Sequence, residues 1–164
     1  MRFFSLYLLE SKQTNMYTFI QKFHSGWAYL ALLILVLAVV NALMGFMGKK
    51  EFTEKDRKIA LFGLVFSHIQ LLIGLALYFI SPKGYTLISE VGMGTVMKTA
   101  ALRLTVVEHP VINIIAIILI TIGWSKHKKE LTSLGKFKSI LIFYAIGLIL
   151  ILSRIPWDSW FASK

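Results

Sequence analysis

The sequence predicts an all-α fold: an integral membrane four-helix bundle that forms a single transmembrane domain over residues 1–164. Three observations predict it. Hydrophobic residues make up 57% of the chain, and the mean hydropathy is +0.71, more than a soluble domain of this length carries. Four runs approach the roughly 20 apolar residues that a helix needs to cross a bilayer core. Ten of the 18 Lys and Arg residues cluster in two connections, a pattern that orients spans. This accounts for the net charge of +10 without nucleic acid as a partner. Helix is the expected form of each run, because an open strand cannot satisfy its backbone in lipid. With no cysteine, disulfides and thiolate metal sites are excluded.

The chain opens with "MRFFSLYLLESKQTN", whose apolar run is too short for a secretory signal. Met1 and Met16 both stand as possible starts. The first span covers about 20–47, with its beginning placed between Tyr17 and His24. "GKKEFTEKDRK" follows and carries five Lys/Arg. The second span covers about 59–80 and stops at Ser81-Pro82, where proline forbids continuation. The loop 81–102 comes next. Its stretch "VGMGTVMKTAALRL", running on into the third span, has apolar residues at helical spacing. That spacing predicts a short amphipathic helix lying on the outer surface and covering the bundle's mouth. The third span covers about 103–124 and contains Pro110, which lacks an amide proton and crowds the Val106 carbonyl, so a kink is expected there. "SKHKKELTSLGKFK" adds five more Lys/Arg, and the fourth span, about 139–155, ends at Pro156. Loop charge density puts the two lysine-rich connections in the cytoplasm and both termini on the non-cytoplasmic side. The protein is thus expected to be a multi-pass protein of the bacterial inner membrane.

The stretch "RLTVVEHPVINIIAIILITIG" sets the functional question, since Glu108 and His109 stand inside a span. Ionisable groups at such depth are costly, face the interior and mark function. His68, near the middle of the second span, poses the same question, and His24 lies nearer the outer end of the first. His127, in "SKHKK", reads as a solvated surface residue. At 1.5 Å rise per residue, His68 stands roughly 15 Å above the cytoplasmic end, His109 roughly 22 Å and His24 roughly 34 Å. Depth therefore favours His68 and His109 as a facing pair. Two such imidazoles can clasp the iron of a haem in the bundle core. His24 is the alternative partner.

The neighbours of these histidines add detail. Thr105, His109 and Asn113 are spaced by four and form one polar stripe. Gly63, Ser67 and Gly74 allow close helix packing or leave room for a flat ring. Tyr144, Gly147, Ile151 and Arg154 line one stripe of the fourth span, with Arg154 at the outer end as a cation for haem propionates or a snorkelling side chain. Glu108 is expected to orient a histidine N–H, to pair with Arg103 or Arg154, or to move protons near a quinone.

"FHSGWAYLALL", "FSHIQLLIGLALYFISP", "VEHPVINIIAIILITIG" and "LSRIPW" resemble the short four-helix membrane proteins of the Bacteroidota-type "cytochrome B" family. The likeness runs over nearly the whole chain after Met16. It implies a b-type haem and a place in respiratory electron transfer, with the family's histidines falling on His24, His68 and His109. A more distant likeness is to one half of heme A synthase. The motif there has an arginine directly after the histidine, where this chain has Pro110, so synthase chemistry does not carry over. Three readings follow. The first is a haem b subunit that relays electrons or handles quinone. The second is a cofactor-free accessory subunit bound to other membrane subunits of a respiratory or transport complex. The third is a copper or other metal site built from His24, His68 and His109. No nucleophile–base pair or phosphate loop points to a stand-alone enzyme.

Overall fold

The computed structural model of the chain describes residues 2–162, with side chains over 15–158 and at 160. Met1, one of the two starts weighed above, lies outside that range. The described residues are helical with short connections and contain no strand. Helix α1 spans Arg2–Met47 and α2 spans Glu54–Ile80. Three short helices follow: α3 Tyr85–Val91, α4 Met93–Lys98 and α5 Ala100–Arg103. A π-helical turn at Leu104–Glu108 leads into α6, His109–His127. The chain finishes with α7, Ser133–Ser153, and α8, Trp157–Ala162. Four stretches are long and apolar enough to cross a membrane: Asn15–Met47, Glu54–Val91, Ala100–His127 and Ser133–Ser153.

Local chemistry sets the boundaries. Helix α1 ends where Lys49 takes a left-handed φ of 49°, which lets the Lys50 amide reach the Gly45 carbonyl at 3.0 Å. Thr53 caps α2: its amide and hydroxyl donate to the Asp56 carboxylate at 2.9 and 2.6 Å. At the start of α7 the Thr132 hydroxyl accepts from the Gly135 amide at 3.0 Å.

The four long helices form a square in which α1 packs on α2 and α7, and α6 packs on the same two. Helices α1 and α6 thus stand on one diagonal and run in the same direction. Both lysine-rich connections lie at one end, where the Phe52 amide donates to the Ser133 hydroxyl at 3.0 Å. The half of the bundle near that end is tightly packed. Leu35, Ala38, Ala60, Ile120, Phe137, Ile140 and Tyr144 fill it, and the Tyr144 hydroxyl donates to the Ala60 carbonyl at 2.9 Å. Gly63 and Gly147 serve this packing. A Cβ at Gly63 would stand 3.1 Å from the Ala38 methyl, and one at Gly147 would stand 2.7 Å from Ile120.

Two expectations are corrected here. The outer connection does not form one helix. Gly92, at φ 80°, breaks the path, and Thr99, extended at φ −99° and ψ 108°, breaks it again. None of the residues from 85 to 104 lines the cavity at that end of the bundle, so the expected cover over its mouth is not built from this segment. Pro110 stands just after the π-helical turn. The His109 amide reaches back five residues to the Leu104 carbonyl, and this wide turn absorbs the bond that proline cannot donate. His127 is not solvated: it is 2% exposed, packed on the rings of Trp124 and Phe52, and its Nδ1 donates to the Trp124 carbonyl at 2.5 Å. The helix runs three residues further than the hydropathy indicated and turns this ring into the bundle end.

Candidate functional site

The half of the bundle away from the lysine-rich end encloses a cavity of about 330 Å³. Its walls are largely apolar, and its polar groups come from different helices. Helix α1 contributes His24 and Ser25, α2 contributes Ser67 and Gln70, and α6 contributes His109 and Asn113. The mouth is framed by Tyr17 and Gln21, by the turn at Ser81–Gly84 and by Pro156 and Trp160. Few polar groups in an apolar cleft between helices is the usual composition of a ligand site.

His24 and His109 meet in this space. Their ring centroids are 6.4 Å apart and their planes stand at 79°. They come from the diagonal helices, so each imidazole reaches toward the bundle axis. His109 is held from two sides. Its Nδ1 donates to the Arg154 carbonyl at 2.8 Å, and its own carbonyl accepts from the Asn113 side chain at 2.6 Å. With the Nδ1 proton committed, Nε2 is the nitrogen with a free lone pair. His24 is held by Gln70, whose Nε2 donates to the His24 carbonyl at 3.2 Å and stands 3.3 Å from each ring nitrogen. The ring edge of His24 lies against bare backbone, since a Cβ at Gly74 would come within 3.0 Å of its Cε1. The Gln70 Oε1 is buried and accepts from no side chain or backbone group among the described residues.

His68 is placed elsewhere, and the expected facing of His68 and His109 is not made. The His68 Nδ1 donates to the Leu64 carbonyl at 2.8 Å, and its Nε2 lies 3.3 Å from the Thr121 hydroxyl. Thr121 is roughly 18 Å along α6 from His109. The depth count overlooked the lean of the side chains. Each Cα–Cβ bond tilts toward the N-terminus of its own helix. On antiparallel α2 and α6 the two imidazoles therefore lean apart. On parallel α1 and α6 they lean the same way, so the lean adds nothing to the separation of His24 and His109.

Glu108 orients no histidine. It bridges two cations, with Arg103 Nε at 2.9 Å and Arg154 Nε at 3.3 Å, while Arg103 also donates to the Met97 carbonyl at 2.8 Å. Thr105 lines the cavity beside His109 as its spacing predicted, and its hydroxyl donates to the Ala101 carbonyl at 3.0 Å. Ile151 reaches the cavity wall, whereas Tyr144 and Gly147 belong to the packed half. The sequence reading passed over Gln70. The available signal was its position three residues after Ser67 and four before Gly74, on the face already singled out. Among the described residues no group of three or more His, Asp or Glu is placed to hold a metal ion, so the three-histidine metal site is not assembled. No protein-family profile, curated protein or solved structure matches the chain.

Proposed function

We propose that this chain is a haem-binding, b-type cytochrome-like membrane subunit in which His24 and His109 would hold the iron. The observation that carries the reading is the meeting of these two imidazoles at one apolar cavity. A metal–imidazole bond is about 2 Å long, so two imidazoles with centroids roughly 6 Å apart could both reach one metal ion. The separation of 6.4 Å agrees with that. The donor set also suits the group, since neutral imidazole is a common iron ligand and costs little in an apolar interior. Gly74 leaves the α2 wall without a side chain beside His24.

Haem, when bound, supplies one-electron chemistry at the iron. The chain's own residues do the rest. The Arg154 carbonyl holds His109 in the tautomer that frees Nε2. Asn113 holds the His109 backbone and Gln70 steadies His24. Apolar walls keep water out. Lys83 at the mouth would supply positive charge for propionates, while Arg103 and Arg154 are already partnered by Glu108. The buried Gln70 Oε1 suits a hydroxyl donor such as a quinol. The same reading puts the lysine-rich end in the cytoplasm of a bacterial inner membrane and both termini outside, among other respiratory subunits.

The test is a reduced-minus-oxidised visible spectrum of the purified chain expressed with ample haem. The parent gives a b-type band, His24→Ala and His109→Ala lose it, and His68→Ala keeps it. A parent with no band, or a full band in His109→Ala, rules the reading out.

A further inference from the structure

A second recess lies at the opposite, lysine-rich end of the bundle, with a volume of about 240 Å³. Three separate elements bring a cation to it: Arg57 from α2, Lys128 from the connection after α6, and Lys136 from α7. Phe52 and the buried His127 form its apolar side. Glu54 is the acid at its rim, and both of its oxygens are engaged by Arg57 Nε, at 2.9 and 3.1 Å. Arg57 keeps further N–H donors beyond that one. Neither Lys128 nor Lys136 has a carboxylate at ion-pair distance among the described residues. The two flanking connections carry ten Lys and Arg against four acids, so the surrounding field is positive as well.

The recess also sits at a definite depth. Lys126 lies over the Phe143 ring at 5.3 Å, Lys128 over Trp124 at 5.6 Å and Lys136 over Phe52 at 5.8 Å. Aromatic rings with lysines folded over them at the end of apolar spans mark the membrane–water interface. The densest anion at that depth is the phosphate of a lipid headgroup. Basic pockets between helices at this level bind anionic headgroups.

We propose that the recess formed by Arg57, Lys128 and Lys136 binds the phosphate of an anionic phospholipid. The site is independent of the histidine cavity and of any cofactor. Acyl chains would run down the apolar helix flanks while the phosphate takes the two lysines that lack an acid partner.

The experiment is native mass spectrometry of the delipidated full chain. It is titrated with phosphatidylglycerol or with phosphatidylcholine of the same acyl chains, and in a further arm with phosphatidylglycerol plus millimolar inorganic phosphate. Phosphatidylglycerol binds in preference to phosphatidylcholine, and Lys128→Gln and Lys136→Gln each weaken it about fivefold. Lys128→Arg retains binding, as does Lys138→Gln, whose residue lies outside the recess. Circular dichroism checks that each variant is folded. Equal binding of the two lipids overturns the proposal, as does an equal loss in Lys138→Gln. Displacement of the lipid by inorganic phosphate also overturns it, because the site would then belong to a soluble anion.

Discussion

The Nδ1 of His109 donates to the main-chain carbonyl of Arg154, 2.8 Å away. This bond joins the beginning of α6 to the end of α7 and determines which ring nitrogen is free. Arg154 makes a second tie through its side chain, to Glu108 at 3.3 Å. One residue thereby fixes the tautomer of His109 and holds the helix turn on which it stands.

His68 is expected to matter for stability and not for the site. Its two ring nitrogens face Leu64 on its own helix and Thr121 on α6, so His68→Ala removes one contact within α2 and one between helices. The loss is about 0.6–2 kcal/mol, the usual range for hydrogen bonds between membrane helices. Unfolding in mixed micelles measures this loss, and a spectrum unchanged from the parent separates it from a ligand role.

Two glycines should respond differently to a side chain. Gly74→Leu places a side chain against His24 and into the cavity, so cofactor binding falls while the fold survives. Gly147→Ala drives a methyl to within 2.7 Å of Ile120 in the packed half. That variant loses about 1–3 kcal/mol of stability. Haem titration and thermal unfolding, run on both variants, check the contrast.

Glu108→Gln removes the negative charge that bridges Arg103 and Arg154. Both pairs are partly exposed, so the stability loss is no more than about 1 kcal/mol. On the haem reading the band persists. Its midpoint potential rises, because a nearby carboxylate favours the more positive, oxidised iron. Redox titration reads the direction, and an unchanged or lowered potential contradicts it.

Topology can be tested directly because the chain has no cysteine. A single cysteine at Lys129 is expected to react with an impermeant maleimide only after the cytoplasmic face is opened. One at Lys83, at the other end of the bundle, reacts from outside in intact cells. The reverse pattern inverts the orientation proposed from loop charge.

Much of this architecture was legible before any coordinates. Four apolar runs, the stops at Pro82 and Pro156 and the grouping of Lys and Arg were enough for four spans with both lysine-rich loops at one end. The polar stripe Thr105, His109 and Asn113 was also readable, because a spacing of four places residues on one helix face whatever surrounds them. His127 was misread because its charged neighbours in sequence say nothing about the turn that tucks the ring between Trp124 and Phe52.

By itself, then, the sequence determined the four long apolar helices and the candidate imidazoles, since hydropathy and periodicity are properties of contiguous residues. Only the tertiary structure decided which imidazoles meet. His24 and His109 lie 85 positions apart in the chain, on helices that pack along a diagonal. Whether two rings at similar depth converge depends on helix direction, because side chains lean toward the N-terminus of their own helix. That lean separates His68 from His109 on antiparallel helices and leaves the spacing of His24 and His109 unchanged on parallel ones.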